Sequence, residues 1–141
     1  MKRFAPVFAL TLACSTICHP ALAAESPESF AGVWSCNGID EHAGKFTERV
    51  AVRLVPGYHD AHSVSFDVDA TIEENAKYRG VGMVSGGVIV SDFISTADQT
   101  DHGVLIGKFE RGTPLRVNAR YFETQQSKPS RGTEICTRTG D

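Results

Sequence analysis

The sequence has few of the residues and motifs that usually carry chemistry. Its 141 residues include four cysteines, two methionines and one tryptophan. After residue 23 no stretch approaches the ~20 apolar residues of a membrane-spanning helix. Gly-x-Ser-x-Gly, phosphate-loop and dinucleotide-binding patterns are all missing. We therefore expect no membrane span and no cofactor, identify no catalytic residues, and find no support in the sequence for an enzyme.

Basic residues are also in the minority. Lysine and arginine total 14 against 17 aspartates and glutamates, which gives a net charge of −3. A chain that binds nucleic acid normally presents an excess of positive charge to the phosphates, so we expect no nucleic-acid partner. We interpret the paired carboxylates Asp67/Asp69 and Glu73/Glu74 as a solvated strand face and a charged turn.

The first residues form an expected export signal. A basic start, MKRF, precedes a mostly apolar run, Ala5 to Ile17, and the small-x-small site Ala21-Leu22-Ala23 follows. This order is typical of a signal peptide that is cleaved after its small residues. We expect a cleaved leader over residues 1–23, a single domain over residues 24–141, and a periplasmic or secreted location.

Cleavage would leave two cysteines. Cys14 and Cys18 belong to the leader, whereas Cys36 and Cys136 lie near opposite ends of the remaining chain. An oxidising compartment favours a disulfide between them. Closing a loop of about 100 residues in this way stabilises a fold by up to 4–5 kcal/mol in the chain-entropy model.

Apolar and polar residues alternate with a period of two along most of the chain, which is typical of half-buried strands. The clearest stretch is SVSFDVDA, residues 63–70, and FTERVAVRL and LRVNARYF repeat the pattern. Turn-forming clusters such as Pro56-Gly57, Ser85-Gly86-Gly87 and Ser127 to Gly132 divide the chain. The expected strands lie near residues 30–37, 45–55, 62–70, 76–84, 87–95, 101–110, 114–124 and 132–138.

Eight short strands joined by tight turns predict an all-β fold, a single eight-stranded antiparallel up-and-down barrel. Closure would pair the first strand with the last, and a Cys36–Cys136 bridge would then lie across that seam. An open sandwich is the alternative architecture.

The stretch FAGVWSC resembles the Gly-x-Trp that opens the first strand in calycins, which include lipocalins, avidins and fatty-acid-binding proteins. The resemblance implies a β-barrel in which Trp34 plugs one end and Arg138, from the last strand, packs over its ring. The chain is also similar to uncharacterised small exported bacterial proteins through FAGVWSCNG, YRGVG and GTEICTR. By analogy with calycins, we expect an exported lipocalin-like protein that binds an apolar small molecule.

The interior of such a barrel would form the binding site, unless side chains fill it completely. The glycine-rich stretch 80–87 leaves open which way Met83 and Phe93 face. The alternative function is a protein-binding module, such as an inhibitor of a secreted hydrolase, that acts through its surface loops. The expected ligand-binding residues are Phe66, Tyr78, Met83, Phe93 and Tyr121.

The tightest cluster with metal-ligand chemistry is His59-Asp60-Ala61-His62. It follows Pro56-Gly57 and should lie in an exposed loop. Structural zinc sites usually have four protein ligands, and this segment supplies fewer, so we expect no metal site.

Overall fold

A computed structural model of the protein describes residues 27–60, 63–73, 75–110, 112–125 and 128–140. The expected leader and its cleavage site lie outside the described residues, as do Ala61 and His62 of the histidine cluster. Within the described ranges, no helix has the length and apolar character needed to cross a membrane.

The described chain is a closed antiparallel barrel in which each strand pairs with its neighbours in sequence and β8 returns to β1. This confirms the predicted fold class. A short 3-10 helix, Pro27–Phe30, precedes the first strand. The strands are β1 Gly32–Asp40, β2 Gly44–His59, β3 Ser63–Ile72, β4 Ala76–Ser85, β5 Val88–Ser95, β6 His102–Glu110, β7 Arg116–Gln125 and β8 Lys128–Gly140.

The period-two pattern of the sequence becomes an inner and an outer face of the barrel wall. In β1, the buried residues are Trp34, Cys36, Gly38 and Asp40, and each residue between two of them is exposed. In β3, Phe66 is fully buried and Asp67 is exposed. Alternate side chains of a strand point to opposite faces, so the inward sets of β1 and β3 meet inside the barrel.

Aromatic side chains close one end of the barrel. Trp34 is 4% exposed, and its indole Nε1 donates a 3.2 Å hydrogen bond to the carbonyl of Phe30. The rings of Phe30 and Phe109 meet edge to face at 4.1 Å between centroids. Arg138 is the register partner of Trp34 on β8, and its Nε donates a 2.9 Å hydrogen bond to the carbonyl of Ala31. Trp34 and Arg138 therefore lie together at this end.

The seam between β1 and β8 holds the disulfide. Cys36 and Cys136 are register partners across the seam, and their sulfurs are bonded. The predicted bridge is therefore confirmed, and it links the strand that opens the barrel to the strand that closes it.

Two expected turns lie inside strands. Pro56-Gly57 belongs to β2, where the pairing with β3 shifts between Leu54 and His59 and Gly57 has a φ of 81°. Such an irregularity adds residues to one strand without ending it. Similarly, β8 begins at Lys128, so Gly132 lies within the strand instead of ending a turn.

The disulfide should contribute a large share of the stability of the fold. It joins residues 100 positions apart, so its loss frees a long loop in the unfolded chain. We expect the Cys36→Ala/Cys136→Ala double variant to lose about 3–5 kcal/mol of unfolding free energy in urea titrations. The reduced wild-type protein, as a control, should lose a similar amount, whereas a double variant as stable as the oxidised protein would contradict this account.

Candidate functional site

The barrel encloses a cavity of about 280 Å³. Its closed end is formed by Phe30, Trp34 and Phe109, and its walls are mainly apolar. Toward the opposite end, the lining includes Asp40 and Glu123. The barrel is therefore not packed solid, and its interior has room for a small molecule.

Four of the five residues expected to bind a ligand line this cavity. They come from strands β3, β4, β5 and β7, which the barrel brings around one space: Phe66, Tyr78, Phe93 and Tyr121. Phe66 and Tyr78 are buried, and the other two are partly buried. The structure thus places these four side chains together, while their binding role stays a prediction.

Met83 does not line the cavity, and its expected place in the lining is wrong. Its side chain is 50% exposed on the outer face, where its register partner is the equally outward Val90. β4 keeps strict alternation, so the inward position of Tyr78 puts Met83 outside. The inward positions between them, Gly80 and Gly82, have no side chain, which hides the alternation in the sequence.

Glycines on neighbouring strands give the lining rings their space. A Cβ added at Gly38 would overlap Cζ of Phe46, its register partner, so the ring occupies the place of the missing side chain. Aromatic rings that cover a cross-strand glycine lie against the wall and leave the centre of the barrel open. The ring–glycine pairs are Phe46–Gly38, Phe66–Gly82, Phe93–Gly103 and Tyr121–Gly132.

A chain of edge-to-face contacts joins the rings at the end opposite Trp34. Phe46 and Tyr121 lie 6.1 Å apart between centroids, Tyr121 and Phe93 6.1 Å, and Phe93 and Tyr78 5.9 Å. These distances fall in the range of favourable aromatic pairs. The rings come from β2, β7, β5 and β4, whereas β3 contributes the aliphatic Ala70 and Ile72 to this part of the wall.

Asp40 fixes three strands at this end through four hydrogen bonds. Its Oδ1 accepts from the backbone N–H groups of His42 (2.7 Å) and Ala43 (2.8 Å). Its Oδ2 accepts from the hydroxyls of Tyr121 (3.0 Å) and Ser130 (2.7 Å). Burial alone would raise the pKa of Asp40, but these four donors together lower it, so Asp40 stays ionised with its acceptor sites filled.

The two tyrosines of the lining act as hydrogen-bond donors. Tyr78 donates to Asp101 Oδ2 at 2.8 Å, and Tyr121 donates to Asp40. Burial, followed by the bonded carboxylate, raises the pKa of each phenol. Both hydroxyls therefore remain protonated, and Asp101, which accepts the hydrogen bond of Tyr78, is 6% exposed.

A pair of carboxyl groups, Glu48 and Glu134, lies beside the disulfide. Glu48 is the register partner of Cys36 on β2, and its side chain is hydrogen bonded to Glu134 of β8. Burial raises the pKa of both groups, and the charge of Glu48 raises that of Glu134 further. Glu134 therefore keeps its proton and donates it in a hydrogen bond to Glu48.

Glu123 lines the cavity, and no described residue donates a hydrogen bond to its carboxyl group. It follows Tyr121 on the inner face of β7 and is partly buried. Burial, followed by the charges of Asp101 and Asp40, raises the pKa of Glu123 to about 7. Its ionisation therefore changes near neutral pH.

The acidic lining was missed in the sequence, although a signal for it was present. Glu48 lies two positions from both Phe46 and Val50 in FTERVAVRL, so it shares their inward face. Glu123 lies two positions from Tyr121 in β7 and shares its inward face in the same way. A charged residue at an apolar position of a strand requires a partner or a function. That departure from the pattern could have pointed to the site.

Groups with metal-ligand chemistry give no metal site among the described residues. Cys36, Glu134 and Cys136 place their ligand-type atoms within 4.8 Å of one another. The two sulfurs are bonded to each other, so neither is a thiolate that could bind a metal. Of the histidine cluster, the backbone of His59 lies in β2 and Asp60 is exposed.

No protein-family model and no curated protein sequence matches the chain. Among solved structures, EF1p2_mFAP2b bound to DFHBI superposes with a TM-score of 0.54 at 12% identity, over 79% of this chain and 95% of that one. A redesigned β-barrel superposes with a TM-score of 0.53, also at 12% identity, over 79% and 93% of the two chains. This likeness shows the fold alone, and membership of the calycin superfamily stays a prediction.

A test of the ring–glycine packing is Gly38→Ala. The added methyl group would push the Phe46 ring off the wall, so we expect a loss of about 1–3 kcal/mol of unfolding free energy, measured in urea. Gly140→Ala is the matched control, because nothing lies within 4 Å of a Cβ at that position. Equal losses in the two variants would contradict the packing role of Gly38.

The raised pKa of Glu123 predicts a pH dependence of stability. The folded pKa of about 7 lies above the ordinary 4.5, so the contribution of Glu123 is fully present below pH 4.5 and is lost as the pH rises through 7. Wild type should therefore become less stable relative to Glu123→Gln between pH 4.5 and about 8, measured by urea unfolding. Asp67→Asn, which removes an exposed outward carboxylate, should show no comparable trend over this window. A constant difference between wild type and Glu123→Gln would contradict the assignment.

Proposed function

We propose that this protein is an exported binding protein for compact, largely apolar small molecules, which it holds inside the barrel. The observation that carries the proposal is the cavity of about 280 Å³, walled by aromatic and aliphatic side chains. Concave, mainly apolar cavities with a few fixed polar groups are the usual form of small-molecule sites.

The size and shape of the cavity favour a compact ligand. Its volume lies just below the usual range of about 300–1,000 Å³ for ligand pockets. Trp34, Phe30 and Phe109 close one end, so a long acyl chain would have no exit on that side. A molecule with one or two rings matches this space better than a fatty acid does.

The cavity is also pre-formed. The rings rest on cross-strand glycines, Asp40 ties β1 to β7 and β8, and the disulfide holds the seam. A site that is already rigid loses little conformational entropy when it takes up a guest, which favours binding.

Two further observations support the proposal. EF1p2_mFAP2b, whose fold is similar, is bound to the small-molecule dye DFHBI. Export is supported by the expected signal peptide and by the disulfide, since disulfides persist mainly in oxidising compartments.

The experiment is a binding screen on the purified protein with its disulfide intact. Fatty acids, isoprenoids and aromatic metabolites are titrated while the melting temperature and the fluorescence of Trp34, which lines the cavity, are recorded. A ligand of the folded state raises the melting temperature by mass action. We expect a saturable rise with compact ring compounds. If no class gives one, the loop-binding alternative replaces this proposal.

A cavity-filling variant should abolish the response. Ala70 is buried, lines the cavity and is the register partner of Tyr78 on the adjacent strand β4, so Ala70→Phe would place a ring in the lumen. We expect the ligand-induced rise in melting temperature to disappear, at a cost in stability of about 1–3 kcal/mol from overpacking. The matched control is Ala51→Phe on β2, a position outside the cavity lining, and it should keep the response. Retained binding in Ala70→Phe would contradict the site.

A further inference from the structure

We infer that the ligand is a cation, an amine or quaternary ammonium compound with a compact apolar body, whose positive centre lies beside Glu123. This inference rests on the proposed function and specifies the chemistry of the molecule that fills the cavity.

The charged side chains that line the cavity are all acidic. Among the described residues that line it, five are acidic and none is a lysine, arginine or histidine. Ionised carboxylates taken out of water are costly unless a positive partner compensates them. The described lining holds no positive side chain, so a cationic ligand would compensate a lining carboxylate that is ionised and has no hydrogen-bond donor. The five acidic residues are Asp40, Glu48, Asp92, Glu123 and Glu134.

Four of these five carboxyl groups already have a hydrogen-bond partner among the described residues. Asp40 has four donors, and Glu134 is bonded to Glu48. Asp92 is exposed and accepts a hydrogen bond from the backbone N–H of Val81. Glu123 alone among the five receives no hydrogen bond from a described residue, and it lines the cavity.

An independent observation lies at the same end of the barrel. Asp101 is buried to 6% exposure, and its Oδ1 has no hydrogen-bond partner among the described residues. Its other oxygen is held by Tyr78, which lines the cavity, and its charge acts on Glu123. An unpaired buried oxygen is rare in folded proteins. Among the described residues, Glu123 and Oδ1 of Asp101 thus both lack a hydrogen-bond donor at this end of the barrel, and a positive group beside Glu123 would also be attracted by the charge of Asp101.

The aromatic rings favour the same class of ligand. Tyr121 lies two residues before Glu123 on the inner face of β7, and Phe93 and Tyr78 continue the ring chain from it. The face of an aromatic ring attracts a cation within about 6 Å, and quaternary ammonium groups are recognised by cages of such rings. One molecule could thus pack its apolar body against the apolar lining and place its positive centre beside the rings and Glu123.

Three probes of nearly the same shape and different charge test the inference: phenyltrimethylammonium, tert-butylbenzene and benzenesulfonate. Each is titrated into the disulfide-intact protein, and affinity is measured from the fluorescence of Trp34 and from ligand-observed NMR. We expect the cation to bind about tenfold more tightly than the neutral isostere and the anion to bind most weakly.

Two variants assign the preference to Glu123. In Glu123→Gln, the affinity for phenyltrimethylammonium should fall to within about threefold of that for tert-butylbenzene. In Glu123→Lys, the cation should bind more weakly than the neutral probe. Asp67→Asn, which removes one exposed outward charge, is the control and should keep the cation preference. Melting curves of each variant verify that the barrel is folded.

The outcomes separate this inference from the proposed function. Equal binding of the neutral and cationic probes, or a cation preference that survives in Glu123→Gln, overturns the inference and leaves an apolar binding protein. Failure of all three probes and of the wider screen overturns both. A preference for the cation that Glu123→Gln removes and Asp67→Asn keeps supports the inference.

Discussion

The pairing of β1 with β8 is the constraint on which the other features of the molecule depend. An antiparallel sheet with free edges would expose unpaired backbone groups and would have two open faces, whereas closure removes the edges and makes one face an interior. The Cys36–Cys136 bond lies on this seam, and Asp40 ties the same two strands to each other and to β7. The closed end, the cavity and its acidic lining exist only because this pairing defines an inside.

Closure of a small barrel normally fills its interior with side chains, so an open cavity needs a local explanation. In this protein the aromatic rings lie over glycines of the neighbouring strands, as Phe46 does over Gly38, and each ring takes the place that a second side chain would occupy. Large side chains thereby cover the wall without crossing the lumen. Strand glycines cost conformational entropy and packing, and the disulfide offsets part of that cost by restricting the unfolded chain.

Much of this architecture could be predicted from sequence. The period-two alternation is visible within each strand, and the two cysteines lie in the first and the last strand, which a closed barrel must pair. The inward Phe66 and the buried Trp34 follow from it directly. What could not be predicted depends on neighbours across strands. Gly132 looked like a turn residue, and only its pairing with Tyr121 shows why it lies inside β8. The outward position of Met83 is hidden for a related reason, because the inward glycines of β4 have no side chain that would show the alternation in the sequence.

The acidic positions of the lining show where stability and function diverge. A barrel selected only for stability would carry apolar residues at the inward positions of Glu48, Glu123 and Glu134, since buried carboxyl groups are costly and apolar substitutes pack as well. Four hydrogen bonds offset the free-energy cost of burying Asp40. The cost of burying Glu48 and Glu134 is reduced because the two groups share a proton. Glu123 has no such compensation among the described residues. Violations of local rules concentrate at functional sites in natural proteins, and for this reason we propose Glu123 as the residue of the cavity that recognises the ligand.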